Sequence, residues 1–168
     1  MSQLTLTLDT PLMVRDGRGR YRLADADQIL EAARQVIEQK MQRGEAFTSP
    51  EAVKDYLRAK LAGFEHEVFA VLFLDTRHRL IDYVEMFHGT IDAAEVHPRE
   101  VVKQALRLNA AAVIVSHNHP SGNSEPSAAD KAMTSQLRQA LALVDIRTLD
   151  HVIVAGTRTT SFAERGLL

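Results

Sequence analysis

Residues 116–130 read SHNHPSGNSEPSAAD, directly after the apolar run Ala111-Ala112-Val113-Ile114-Val115. A short, continuously apolar run of this kind indicates a strand covered on both faces. In extended chain, side chains two positions apart point the same way. His117 and His119 can therefore aim both imidazoles at one point while Asn118 faces elsewhere. Asp130 falls in the first turn of the following helix, where its side chain can reach back toward the loop. Two histidines and a carboxylate supply the three protein ligands of a catalytic zinc site and leave the fourth position to water. Pro120, Gly122 and Pro126 stiffen the connection and so limit the entropy lost in ordering it around a metal. A purely local alternative exists: Ser127-Ala128-Ala129-Asp130 fits the S-x-x-D capping box, so Ser127 and Asp130 could simply start a helix. Ser127 suits both roles, as a cap and as a hydroxyl turned toward bound substrate. With both histidines given to a metal, it has no base beside it and is not assigned as a nucleophile.

The composition narrows the chemistry. A length of 168 residues suits one domain with a substantial core and a small extension. Apolar residues make up 45% and charged residues 25%, as in soluble globular proteins. The formal net charge of −2 gives no overall basic field, so nucleic-acid binding would need a local patch. Without cysteine there are no disulfides, thiolate zinc fingers or cysteine nucleophiles, and His, Asp and Glu remain as the strong metal ligands. Nothing near Met1 resembles a signal peptide and no apolar run has membrane-spanning length, so the expected location is cytoplasmic, without membrane contact.

Outward from the histidine loop, the pattern is that of a mixed α/β core. Upstream, Val68–Leu74 (VFAVLFL) reads as a buried strand, 75–78 as a turn, and Leu80–His88 as a second strand. A helix from Pro98 should bury Val101, Val102, Ala105 and Leu106 and expose Arg99, Lys103 and Arg107, a row that is either solvated or touches phosphates. Downstream, a helix from Ser127 to Leu143 should turn Ala129, Ala132, Met133, Ala140 and Leu141 inward. Val152-Ile153-Val154-Ala155 is then the last core strand, and 161–168 a short tail. Further upstream, 27–42 has a helical stripe of Ile29, Leu30, Ala33, Val36, Ile37 and Met41 that should stop at Gly44. Ser49 and Pro50 start another helix, with Val53, Tyr56, Leu57 and Leu61 inward and Gly63 at its close. In the first 25 residues, Leu4, Leu6 and Leu8 suggest a half-buried strand. Asp16-Gly17 suggests a hairpin turn crowded by Arg15, Arg18, Arg20 and Arg22, either a solvated tip or a docking patch.

At the level of motifs the chain resembles a known family. His117-x-His119, seven residues, Ser127, two residues and Asp130 match the metal-binding signature of JAMM (MPN-type, JAB-domain) metalloproteases without a gap. HNHPSG followed by EPSAAD resembles the RadC-like branch, as do Gly89-Thr90, Val96-His97-Pro98-Arg99-Glu100, Leu108-Asn109-Ala110-Ala111 and Leu149-Asp150-His151. Asn118 stands where eukaryotic JAMM proteases carry Ser or Thr, but is ordinary for RadC-like chains. The resemblance covers residues 46–168 and leaves 1–45 as an N-terminal extension. The helix-hairpin-helix signature of longer RadC proteins does not occur, so the chain looks like a short form. The resemblance implies a three-layer α/β/α fold related to cytidine deaminases, with zinc held by His117, His119 and Asp130. It also implies a catalytic glutamate on an early strand. Glu67, directly before Val68-Phe69-Ala70, fits that place; Glu65, on the same face by alternation, is the alternative. Glu67 would act as general base on the metal's water and Ser127 would help hold an oxyanion.

The implied activity is hydrolysis of an amide or isopeptide bond in a peptide or protein substrate. The competing class is a nucleic-acid-associated module of DNA repair or mobile elements, with a structural or vestigial zinc. A zinc deaminase would need the Cys-x-x-Cys ligands that this chain lacks. Among the other histidines, His66, His78 and His88 are expected in packing or surface roles and His97 in a loop. His151 can border the site, supporting a ligand or facing substrate.

Overall fold

The computed structural model describes residues 12–15, 17–40, 47, 49–89 and 95–168. The expected strand at Leu4–Leu8, the turn residue Asp16, the helix stop at Gly44 and Thr90 of the family motif lie outside the described residues. A small hairpin of β1 (Met13–Arg15) and β2 (Tyr21–Leu23) precedes two helices, α1 (Ala26–Lys40) and α2 (Pro50–Leu61). The remaining elements are β3 (Val68–Leu74), β4 (Leu80–His88), α3 (Pro98–Arg107), β5 (Ala112–Asn118), α4 (Ala128–Ala142), β6 (Arg147–Ala155) and β7 (Arg158–Ser161).

The five later strands form one sheet in the order β4-β3-β5-β6-β7. β3 runs antiparallel to β4 and β5, while β5 and β6 are parallel. A parallel pair needs a crossover, and α4 provides it. β3 and β5 are buried at every position, as their unbroken apolar sequence requires. Alternation then sorts the side chains into two cores. Val68, Ala70, Leu72 and Leu74 join Ala112, Ile114, Val152 and Val154 beneath Val53, Tyr56, Leu57 and Leu61 of α2. Phe69, Val71 and Phe73 join Val113 and Val115 beneath Val101 and Ala105 of α3 and Leu137 and Leu141 of α4. The result is helix, sheet, helix: the three-layer mixed α/β architecture expected from the sequence. No helix among the described residues is long and apolar enough to cross a membrane.

The ends of α2 follow local rules. Ser49 caps the helix by accepting from the Ala52 amide at 3.2 Å, and Pro50 occupies the first turn. Gly63, just beyond, has φ +82°, and a Cβ there would sit 2.7 Å from a Leu30 methyl. That close approach, with Arg34 donating to the Ala62 carbonyl at 2.7 Å, seats α1 on the end of α2.

Four expectations are corrected. The inward stripe of α4 is Asp130, Thr134, Leu137 and Leu141, whereas Ala129 and Ala132 are exposed. Small alanines gave no directional signal, and two of the four inward residues are polar because they serve the site described below. Leu106 is 55% exposed; five residues beyond Val101 it lies about 140° around the helix, too far to share its stripe. Ile29, Ala33 and Val36 of α1 are exposed, while Leu30 and Arg34 of that helix meet Gly63 and Ala62 just beyond α2. Finally, β6 does not lead directly into a tail but turns at Gly156 (φ +60°) into β7.

Candidate metal centre

β5 carries His117 into the interior, where it is fully buried opposite Phe69 with the two rings stacked 6.5 Å apart. The chain continues along β6, the His119 amide donating to the Val154 carbonyl at 2.8 Å. The two imidazoles converge as the alternation predicts, with their Nε2 atoms 2.9 Å apart. Asp130 comes in from the start of α4, its Oδ1 3.2 Å from His117 Nε2 and its Oδ2 3.7 Å from His119 Nε2. Ligands 2.0–2.1 Å from a tetrahedral ion stand about 3.3 Å from one another. The three observed spacings lie on both sides of that value.

Asp130 also starts the helix. Its Oδ2 accepts from the Ser127 amide and hydroxyl, both at 2.7 Å, while its own amide donates to Ser127 Oγ at 3.0 Å. The capping box is therefore complete. The capping and ligand roles are not in competition, because Oδ2 serves the cap and Oδ1 faces His117. Burial pushes the Asp130 carboxyl upward. When His117 is protonated, in the absence of a metal, its hydrogen bond and positive charge, with the two bonds from Ser127, outweigh this and hold the carboxyl well below the usual carboxylate range.

The protonation pattern of the histidines follows from the groups behind them. Thr134 Oγ1 donates its one proton to the Asp130 carbonyl at 2.6 Å. Toward His151 Nδ1, also 2.6 Å away, it can only accept, so His151 carries its proton on Nδ1. His151 Nε2 then accepts from His117 Nδ1 at 2.7 Å, which leaves a bare lone pair on His117 Nε2. His119 reaches the same state by donating from Nδ1 to the Asn123 carbonyl at 2.6 Å. Two lone pairs 2.9 Å apart, with a carboxylate beside them, repel unless a cation lies between them. The donor set thus fits a divalent metal ion on chemical grounds. His151 is buried, and burial, reinforced by neighbouring His117, pushes its pKa well below 6.5, so it stays neutral as this chain of bonds requires.

The structure also shows why Asn118 faces away from the ligands. Its Oδ1 accepts from the Val68 amide at 2.7 Å and its Nδ2 donates to the His66 carbonyl at 3.0 Å, pinning the entry of β3 to the end of β5. Glu67 lies between those two anchored residues and is half-buried. Glu67 directly precedes β3, two positions before Phe69, which pairs with His117. Glu65 is exposed, in a bend ahead of the strand. Among the described residues, the cluster of potential ligands comprises His117, His119 and Asp130 alone. His66 and His88 pair with each other at 3.3 Å, His78 meets Arg147, and His97 precedes α3 with its ring edge-on to Phe87.

Sequence reasoning missed Thr134, and nothing local to it could have revealed its role. It also gave Asp150 no function. Asp150 accepts from the His151 and Ala163 amides at 2.7 and 2.9 Å and from the Ser161 hydroxyl, binding the segment after β7 against β6.

Comparison with known proteins finds similar chains. A family profile described as a RadC-like JAB domain matches residues 47–167. A UPF0758 protein of Vibrio cholerae is 58% identical over 154 residues, covering 90% of this chain and 97% of the relative. UPF0758 proteins of Methylibium petroleiphilum and Thioalkalivibrio sulfidiphilus are 57% and 55% identical over 152 residues, covering 90% of this chain and 68% of each relative.

Proposed function

The chain belongs to the RadC-like JAB-domain family, and from that premise we propose that it is a metal-dependent hydrolase that cuts an amide or isopeptide bond of a peptide or protein with water. The observation that carries this is the convergence of the His117 and His119 Nε2 atoms on the Asp130 carboxylate, with each imidazole held from behind at Nδ1 and the carboxylate held by Ser127. Tetrahedral His/His/Asp ligation favours zinc. Such an ion, when bound, polarises a carbonyl and lowers the pKa of its water to about 7.

The protein's own groups supply the remaining steps. Glu67, half-buried just before β3, takes a proton from the attacking water and returns it to the leaving amine. Asn118 holds the strand entry from which Glu67 projects. Ser127 first orients Asp130; to assist an oxyanion its single hydroxyl proton must turn away from the carboxylate that it now serves.

The test combines elemental analysis with turnover of a fluorogenic isopeptide panel. Glu67→Gln should retain one equivalent of metal and lose activity by about 10²–10⁴-fold. His117→Ala should lose both metal and activity. Unchanged turnover in Glu67→Gln would sink the mechanism.

A further inference from the structure

On the α2 side of the same sheet end lies a cavity of about 350 Å³ that shares His119 with the metal centre. Its walls are mostly apolar: Leu61, Phe64, Pro120 and Val154. The β6–β7 turn at Gly156 and Thr157 forms one rim and Arg58 another. Arg58 is the cavity's one charged side chain besides the shared histidine. Its Nη1 is held at 2.8 Å by Asp55, which belongs to the same helix. Its Nε is buried and has no hydrogen-bond partner among the described residues. The side chain as a whole remains 37% exposed at the rim, so its guanidinium can donate to an anionic acceptor from outside the protein. Behind that wall, Arg34 lies over the Phe64 ring at 5.2 Å and pairs with Glu31 at 3.7 Å.

We propose that this cavity is a substrate subsite for an apolar group attached to a carboxylate, the chemistry of a peptide's C-terminal residue with an aliphatic side chain. The apolar group fills the space between Leu61, Phe64 and Val154, and the carboxylate meets Arg58. His119, shared by both sites, places the amide bond of such a chain next to the metal. The assignment rests on the hydrolase reading of the adjoining centre, and it narrows the substrate from any amide to one near a free, aliphatic chain end.

The test is an amide-resolved NMR titration of the full metal-loaded chain with N-acetyl-leucine and, separately, with N-acetyl-leucinamide. The acid should shift Leu61, Gly63 and Gly156 and bind about tenfold more tightly than the uncharged amide, the worth of one charged hydrogen bond. Arg58→Gln should abolish that preference. Thr157→Phe, at an exposed rim position that tolerates size, should exclude both probes. The metal-free His117→Ala protein should still bind the acid, which separates this cavity from direct carboxylate–metal ligation. Equal binding of acid and amide, an unaltered preference in Arg58→Gln, or shifts confined to the His117–Asp130 region would each overturn the proposal. Failure of the hydrolase reading would instead appear as turnover surviving in Glu67→Gln, and would leave these titrations unchanged.

Discussion

At the scale of single residues, the metal centre depends on groups that never touch a metal. Thr134 sets the tautomer of His151, and His151 sets that of His117. Thr134→Val keeps the side-chain shape but leaves the His151 Nδ1–H and the Asp130 carbonyl without their partner. His117 can then present a protonated Nε2 toward the ion. Zinc affinity, measured by chelator competition, should fall about 10–100-fold. Stability in urea should fall by about 1–3 kcal/mol. Acid should act through the same residue. Because the folded protein holds His151 well below its ordinary value of 6.5, the unfolded chain takes up a proton that the fold refuses. Unfolded forms therefore bind more protons below that value, and stability declines as pH drops through it. Asp130 adds to the trend at lower pH, since its depressed pKa contributes stability that is lost as pH falls below 3.8. Urea unfolding at pH 7.5 and pH 5.5 should show the decline in the metal-free protein, and His151→Gln should flatten it.

At the scale of elements, the legible parts are those whose environment is uniform. Val68–Leu74 and Leu80–His88 match the strands expected from their apolar runs, and the cap at Ser49 and Pro50 lies where side-chain chemistry puts it. The clustering of His117, His119 and Asp130 was legible because all three lie in one local stretch. α4 was misread because its inner face changes character along its length, polar at Asp130 and Thr134, apolar at Leu137 and Leu141. A pattern based on hydrophobicity alone sees only half of such a stripe. β7 was missed although Gly156-Thr157 before a Thr-rich stretch is a hairpin signal, because four residues are too few for alternation to register. Partners distant in sequence, such as Thr134 with His151, become visible only once β6 lies beside β5. The brace at Asn118 belongs to this scale, since it couples two strands. Asn118→Ala strands the buried Val68 amide and should cost about 1–3 kcal/mol. It should also lower kcat while metal content, read by elemental analysis, stays at one equivalent.

For the whole molecule, the two apolar cores carry the fold, and a metal at the His117, His119 and Asp130 cluster would add to it. On the α3 row, Arg99 and Lys103 share the one carboxylate of Glu100, at 3.6 and 3.3 Å, so with Arg107 the row keeps a net positive charge. At the sheet end, by contrast, two lone pairs and a carboxylate are gathered at the cost of mutual repulsion. Zinc at about a thousandfold excess over its dissociation constant should therefore stabilise the chain by about 4 kcal/mol. In a domain of this size that corresponds to a rise in Tm of roughly 10 °C. Scanning calorimetry of chelator-treated and zinc-loaded protein should show this rise, and His117→Ala should not. A rise of equal size in that variant would place the stabilising ion elsewhere.

The division of the Asp130 carboxylate has a consequence for how the chain assembles. All three ligands fall between positions 117 and 130, so the centre is a contact of low sequence separation inside a sheet whose other pairings are long-range. Closing so short a loop sacrifices little chain entropy, and contacts of this kind are available early in folding. Because one oxygen of that carboxylate serves the helix start and the other the ion, metal capture and helix nucleation favour each other. A metal bound at this cluster would therefore favour early ordering of the stretch from β5 through α4.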